Sequence, residues 1–369
     1  VTFRLKAPNA QKVQITGDFL PTKQIDTPVG KYDAPGVADL VKDDKGVWSF
    51  TSTNLSPELY SYNLILDGVK IVDPGSVYIT RDITSETNIF ILSDKKGDCG
   101  DLYTVNEVPH GNVSKVWYDS PTLKMQRRMT VYTPAGYDKG KDYPVLYLLH
   151  GAGGDEDAWT TLGRAQHILD NLIATGKAKP MVVVMTNGNP NCQAAPGEWS
   201  AGMYVPSFNG YQGAKAVATM DESFPDVMNY VESHYKVGKD KAHRAICGLS
   251  MGGGHSFDIS RRFPNKFDYV GLFSAGLHVG KTGDFRTDFY KMLQEDEEAK
   301  QQLATLFKNK PKLYWIGMGK TDFLYKSTAG LRRYFDEKGY KYTYMETEGG
   351  HIWRNWRVYL TEFAQKIFK

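Results

Sequence analysis

The sequence predicts two architectures in series: an all-β immunoglobulin-like sandwich, then a doubly wound, mostly parallel α/β sheet. Two observations carry this. Residues 1–93 hold short strand-like runs separated by turn residues, with no convincing helical pattern. Beyond Asp142 the pattern switches to apolar runs alternating with helical periodicity, the signature of βα units.

The elements follow in order. Val1–Leu5, Lys12–Thr16, Val47–Thr51, Tyr60–Leu66, Val69–Val72 and Asn88–Leu92 read as strands. Asp67-Gly68 lies between two of them and predicts a hairpin, because both residue types tolerate positive φ. About residues 94–111 (SDKKGDCGDLYTVNEVPHG begins at Ser93) the chain turns polar and reads as a linker, leaving 112–369 as the second domain. Ser114–Tyr118 and Arg128–Tyr132 read as an entry hairpin. Val145–Leu149 and Met181–Met185 are continuous apolar runs, as expected of strands buried on both faces. Ile168, Leu169, Leu172 and Ile173 share a helical face, and Val227, Val231 and Tyr235 step by four. Ala242–Cys247, Phe267–Phe273, Leu313–Met318 and Tyr342–Glu346 complete the strands, with helices to Phe263, over Lys326–Lys338 and over Trp356–Phe368. The acidic cluster Glu295–Glu298 reads as a solvated helix face.

Composition excludes several classes. Of 369 residues, 41% are hydrophobic and 24% charged, which is globular rather than disordered or collagen-like. Net charge is +3 (45 − 42), with no extended Lys/Arg run to make a nucleic-acid surface. No apolar stretch approaches the roughly 18 residues of a membrane span. Cys99, Cys192 and Cys247 are too few for a disulfide framework, although one pair can bridge. Residue 1 is Val with no signal-peptide core behind it, so the expectation is a mature or trimmed chain.

The chemistry centres on Gly248-Leu249-Ser250-Met251-Gly252. This G-x-S-x-G sequence falls where a strand is expected to turn into a helix, the context of an α/β-hydrolase nucleophile elbow. Small neighbours let the turn tighten and lift Ser250 Oγ above the sheet, at a helix N-terminus that favours developing negative charge. A serine hydroxyl needs a base, and the base an orienting acid. In this fold they follow the serine as acid, then histidine. His351 follows a strand and Gly349-Gly350 and is the expected base; His278 is the runner-up. Asp322, just beyond Leu313–Met318, is the expected acid, with Glu346 and Glu348 as rivals. The oxyanion donors are expected to be Met251 N–H and an amide of Ala152 or Gly153 in His150-Gly151-Ala152-Gly153-Gly154. His150 itself reads as a strand-end histidine bonded locally. Between Gly188 and Gly213 a long loop carries Trp199, Tyr204 and Phe208. It is either an aromatic-walled substrate cleft or an insertion packed by its own rings. Trp159 and Trp353 are further candidate pocket residues. No zinc spacing, phosphate loop or dinucleotide fingerprint occurs, so no metal and no cofactor is expected.

Four motifs in order, PVLYLLHGAGG (144–154), GLSMGGGHS (248–256), GKTDFL (319–324) and GGHIWRNWR (349–357), resemble carbohydrate esterase family 1, the esterase-D-like branch of feruloyl and acetylxylan esterases. The resemblance spans about residues 105–369 and implies the same Ser250, Asp322 and His351. YSYNLILDGVKIVDP (60–74) is similar to an Early-set module akin to family-48 carbohydrate-binding modules; Trp48 is either its core or a stacking platform. The resemblance implies a serine esterase, secreted or periplasmic, that releases feruloyl groups from plant xylan or feruloylated oligosaccharide through an acyl-enzyme. Acetylxylan esterase, siderophore-ester hydrolase and a non-catalytic carbohydrate-binding protein are the alternatives.

Overall fold

The computed structural model describes residues 1–27, 30–197, 216–279 and 288–369, and divides at Asn106/Glu107 into two compact units.

In the first unit, Thr2–Lys6, Val47–Thr51 and Val41–Lys42 form one antiparallel sheet. The second sheet runs Ile79–Asp82, Ser85–Leu92, Glu58–Leu66, Val13–Gly17, Gly36–Asp39, with Val69–Ile71 also paired to Glu58–Leu66. Alternation puts Phe3, Leu5, Val13, Ile15, Tyr62 and Leu64 between them. The hairpin at Asp67-Gly68 forms as expected, with φ of 47° and 89°. Trp48 is a core residue: it is 8% exposed and its Nε1 donates to Ala7 O at 2.9 Å. A polar hairpin, Lys23–Thr27 with Gly30–Ala34, was not anticipated, because its first strand is exposed almost throughout and shows no apolar alternation.

The expected linker is partly structured. Asp98 caps a short helix, Cys99–Tyr103, by accepting from Asp101 N at 2.8 Å. A Cβ at Gly100 would lie 1.7 Å from Leu92 O, and Tyr103 is 1% exposed. The helix therefore packs on the sandwich, which extends to Asn106. Backbone N–H groups of Lys95, Asp94 and Asp101 around Asp98 hold its carboxyl down at about 2 despite partial desolvation.

The second unit is an eight-stranded sheet: β1 Asn112–Ser120, β2 Met125–Thr133, β3 Val145–Leu149, β4 Val182–Thr186, β5 Arg244–Leu249, β6 Tyr269–Phe273, β7 Leu313–Gly319 and β8 Thr343–Thr347. The spatial order is β1-β2-β4-β3-β5-β6-β7-β8. β1 and β2 are antiparallel, β2 joins β4 antiparallel, and the rest are parallel. Among the described residues its longer helices are α1 Ala165–Ala174, α2 Met220–His234, α3 Met251–Arg262, α4 Glu297–Lys308, α5 Tyr325–Lys338 and α6 Trp353–Ala364. α1 and α6 pack together, while α3 packs with α2 and α4. The fully buried runs of β3 and β4 need cover on both faces; Val145, Tyr147 and Leu149 meet Val227, Val231 and Phe257 on one of them. All three cysteines are free. Asp296 is more than a solvated charge: it caps α4 by accepting from Ala299 N at 2.8 Å. Among the described residues no helix is long and apolar enough to cross a membrane.

Candidate active site

Ser250 follows the last residue of β5 with φ 53° and ψ −116°, a strained conformation for an L-residue. Three backbone hydrogen bonds impose it. Ser250 N–H donates to Phe273 O at 2.9 Å, and Ser250 O accepts from Gly254 N (3.0 Å) and Gly276 N (2.8 Å). The motif glycines permit the close approach. A Cβ at Gly248 would stand 2.5 Å from Gly252 O, and one at Gly252 would stand 2.5 Å from His150 O. Met251 then opens α3, so its N–H is one of the unpaired amides of a helix N-terminus.

His150 directly follows the neighbouring strand β3 and is buried. Its Nε2 accepts from Gly188 N at 2.7 Å, so the ring proton sits on Nδ1 and donates to Gly151 O at 2.7 Å. Burial holds this imidazole below its ordinary range, in keeping with a neutral tether. The tether joins the start of the β4 exit loop to the Gly151–Gly154 loop. A Cβ at Gly151 would come 3.2 Å from Ser250 Cβ, which places that loop against the serine. Ala152 is exposed, Gly153 buried. His255, in α3, is pushed down to about 4, first by burial and then by the nearby His150.

At the ends of β7 and β8, His351 Nδ1 lies 2.9 Å from Asp322 Oδ2 and 3.1 Å from Oδ1. The Asp322 side chain is fully buried and also accepts from Leu324 N at 2.9 Å. The rivals are engaged elsewhere. Glu346 accepts from the Tyr325 and Tyr344 hydroxyls at 2.8 and 2.9 Å, and Glu348 pairs with Lys320 on the surface. His278 is exposed in its loop. β5, β6, β7 and β8 pair in parallel register, so Ser250, Asp322 and His351 all leave the carboxyl end of one sheet.

Two flanking rings were not singled out from the sequence. Phe323 lies 4.5 Å from the His351 ring and Trp356 lies 4.9 Å away, edge to face. Trp356 stands one helical turn after Trp353, a spacing that could have signalled it. Trp353 is half-buried and packs edge to face on Trp356 and on Trp159, at 5.2 and 5.3 Å. Trp159 is a correction. It is 1% exposed, and its Nε1 donates to Leu149 O at 2.9 Å, so it backs Trp353 instead of facing a ligand. Trp199, Tyr204 and Phe208 lie outside the described residues. The first part of their loop is anchored: Arg127 donates to the carbonyls of Asn187, Asn189 and Cys192, at 2.7, 2.8 and 3.1 Å. Glu156 accepts from Arg128, Ala195 N and Asn187 Nδ2, at 2.7, 2.9 and 3.0 Å.

The strand order, with its antiparallel entry hairpin and its nucleophile turn after β5, is that of the α/β-hydrolases. Within that class the chain belongs to the Esterase family, whose model matches residues 120–367. An endo-1,4-beta-xylanase/feruloyl esterase of Xylanibacter ruminicola is 31% identical over all of this chain. The chain spans 44% of that relative's length. The CE1 ferulic acid esterase of the anaerobic fungus Anaeromyces mucronatus superposes with a TM-score of 0.54 at 26% identity, over 73% of this chain and 96% of that one. The enterobactin esterase of Shigella flexneri matches 99% of this chain and 91% of its own at TM-score 0.63; at 14% identity this is a likeness of fold.

Proposed function

We propose that this chain is a serine esterase that releases feruloyl or related hydroxycinnamoyl groups from xylan. The mechanism rests above all on the Asp322–His351 pair, which occupies Nδ1 and leaves Nε2 as the free basic nitrogen. Ser250 Oγ attacks the ester carbonyl and gives its proton to His351 Nε2. The buried Asp322 carboxylate holds the ring in that tautomer and stabilises the imidazolium. Met251 N–H and an amide of Ala152 or Gly153 receive the oxyanion. His351 then protonates the departing sugar hydroxyl, and water, deprotonated by the same nitrogen, hydrolyses the acyl-enzyme. The half-buried Trp353 is a wall for the acyl ring. The acyl group is taken from the similarity of all of this chain to part of the X. ruminicola protein, and a polymeric plant substrate supports a location outside the cytoplasm.

A hydrolysis panel of methyl ferulate, acetylated xylan and a catecholate siderophore ester tests the substrate. Methyl ferulate is expected to be turned over fastest, and preference for either of the others overturns the feruloyl assignment. Ser250→Ala is expected to lower kcat by about 10⁴–10⁶ without unfolding the protein. Near-wild-type turnover by that variant would end the serine mechanism.

A further inference from the structure

A cleft of about 390 Å³ opens along the free edge of β1, between that strand and α2. Trp117, Asp119 and Gln126 are among its lining residues and share one face of the hairpin; Tyr118, on the other face, packs on Tyr230 of α2, which stacks on His234 with ring centroids 3.9 Å apart at 10°. Of the described tryptophans only Trp117 is exposed, at 44%. The other described tryptophans are at least half-buried, so Trp117 is the described indole most open to a ligand.

The ring is also built in. Trp117 pairs with Arg128 across β1 and β2, and the Arg128 guanidinium carbon sits 5.8 Å from the indole centroid. That guanidinium is fixed by Glu156 at 2.7 Å, so the indole has a rigid backing. On the same face, the side chains of Asp119 and its cross-strand partner Gln126 make no hydrogen bond or ion pair within the described structure. A flat ring beside unspent amide and carboxylate groups suits a pyranose: its C–H face packs on the indole and its hydroxyls bond to the polar groups. The unpaired Asp119 carboxylate disfavours an anionic sugar, which leaves a neutral one.

Register gives the cleft its relation to the nucleophile. Trp117 pairs with Arg128, and Met129 pairs with Thr186 at the end of β4. β4 runs parallel to β3, and Leu149 of β3 pairs with Gly248 of β5. Trp117 thus lies on the same end of the sheet as Ser250, four strand spacings or roughly 19 Å away.

We propose that this cleft is a secondary binding site for the neutral backbone of a polysaccharide whose ester is cleaved at Ser250. The proposal rests on the carbohydrate-ester reading above. The site raises affinity for polymer without touching the reacting bond.

The test uses the full chain and unsubstituted, de-esterified xylan in affinity electrophoresis, a readout that needs no turnover. Wild type is expected to be retarded. Trp117→Ala is expected to weaken retardation by about fivefold to tenfold, and Trp117→Phe to restore part of it. KM on feruloylated arabinoxylan should rise by a similar factor in Trp117→Ala, with methyl ferulate kinetics unchanged. Gln126→Ala, on the same face as the indole, gives the same readout if the Trp117 variants misfold. Equal retardation of wild type and variants overturns the proposal. So does stronger binding to polygalacturonate than to xylan, or a Trp117-dependent dimer in sedimentation, which would make the occupant a second copy. Failure to hydrolyse methyl ferulate would refute the acyl assignment alone, because retardation by bare xylan is read independently.

Discussion

Asp322 and its rivals show how a single carboxylate is selected. Asp322 is buried at 4% exposure and meets His351 from the end of a different strand, β7. Glu346 points to two tyrosine hydroxyls, and Glu348, with an 83% exposed side chain, to Lys320. Asp322→Asn is therefore expected to leave the fold intact and lower kcat by about 10⁴, through the wrong His351 tautomer and an unstabilised imidazolium. Glu346→Gln and Glu348→Gln should change kcat little. Kinetics of the three variants on one soluble ester decide it, and a large loss in Glu348→Gln with a mild one in Asp322→Asn reverses the assignment. Chain order and strand ends made this pair legible in the sequence. Phe323 and Trp356 were not, since nothing local says which aromatic of GKTDFL or HIWRNW turns towards the imidazole. Trp159 shows the converse: a tryptophan beside a catalytic loop looks like a pocket residue until its indole is found bonded to a strand carbonyl.

At the scale of elements, the loops that carry the site are held by buried polar groups. Glu156 is fully buried, and desolvation, then the nearby Asp155, raises its carboxyl against the lowering effect of its bonds from Ala195 N and Arg128. Glu156→Ala would leave Arg128 buried without its main partner and free the backbone of Asn187–Ala195. A loss of about 3–5 kcal/mol in urea unfolding is expected, the usual penalty for breaking a buried pair by removing one member. Turnover of a soluble ester should fall too, because His150 and Gly188 link that loop to Gly151. A Glu156→Ala protein with wild-type stability would show that the network holds nothing. Regular elements were readable where burial repeats with the period of the backbone, as in β3 and β4. They were unreadable where neither face is buried, as in Lys23–Thr27, or where a polar run is itself a cap, as at Asp98 and Asp296.

Across the whole molecule, the boundary between the units carries its own prediction. Every proposed catalytic group lies beyond Asn106, so a protein of residues 107–369 is expected to hydrolyse methyl ferulate with near-normal kcat. Starting at residue 94 instead would retain Cys99–Tyr103 without the strands that bury Tyr103, and this longer fragment is expected to aggregate more readily in size-exclusion chromatography. Loss of small-ester activity by the folded 107–369 protein would give the sandwich a part in the site. By itself, the sequence determined the two architectures, the order of the parallel strands along the chain, the strand-to-helix turn at Ser250, and the placing of Asp322 and His351 at later strand ends. Those follow from local steric and periodic constraints: glycines where only glycine fits, apolar runs where both faces are covered. Only the tertiary structure decided that Trp159 is internal while Trp117 is open, which rings flank His351, and where the sandwich ends. Each of these is a matter of packing between elements, set by strand order and register, and no neighbouring residue encodes it.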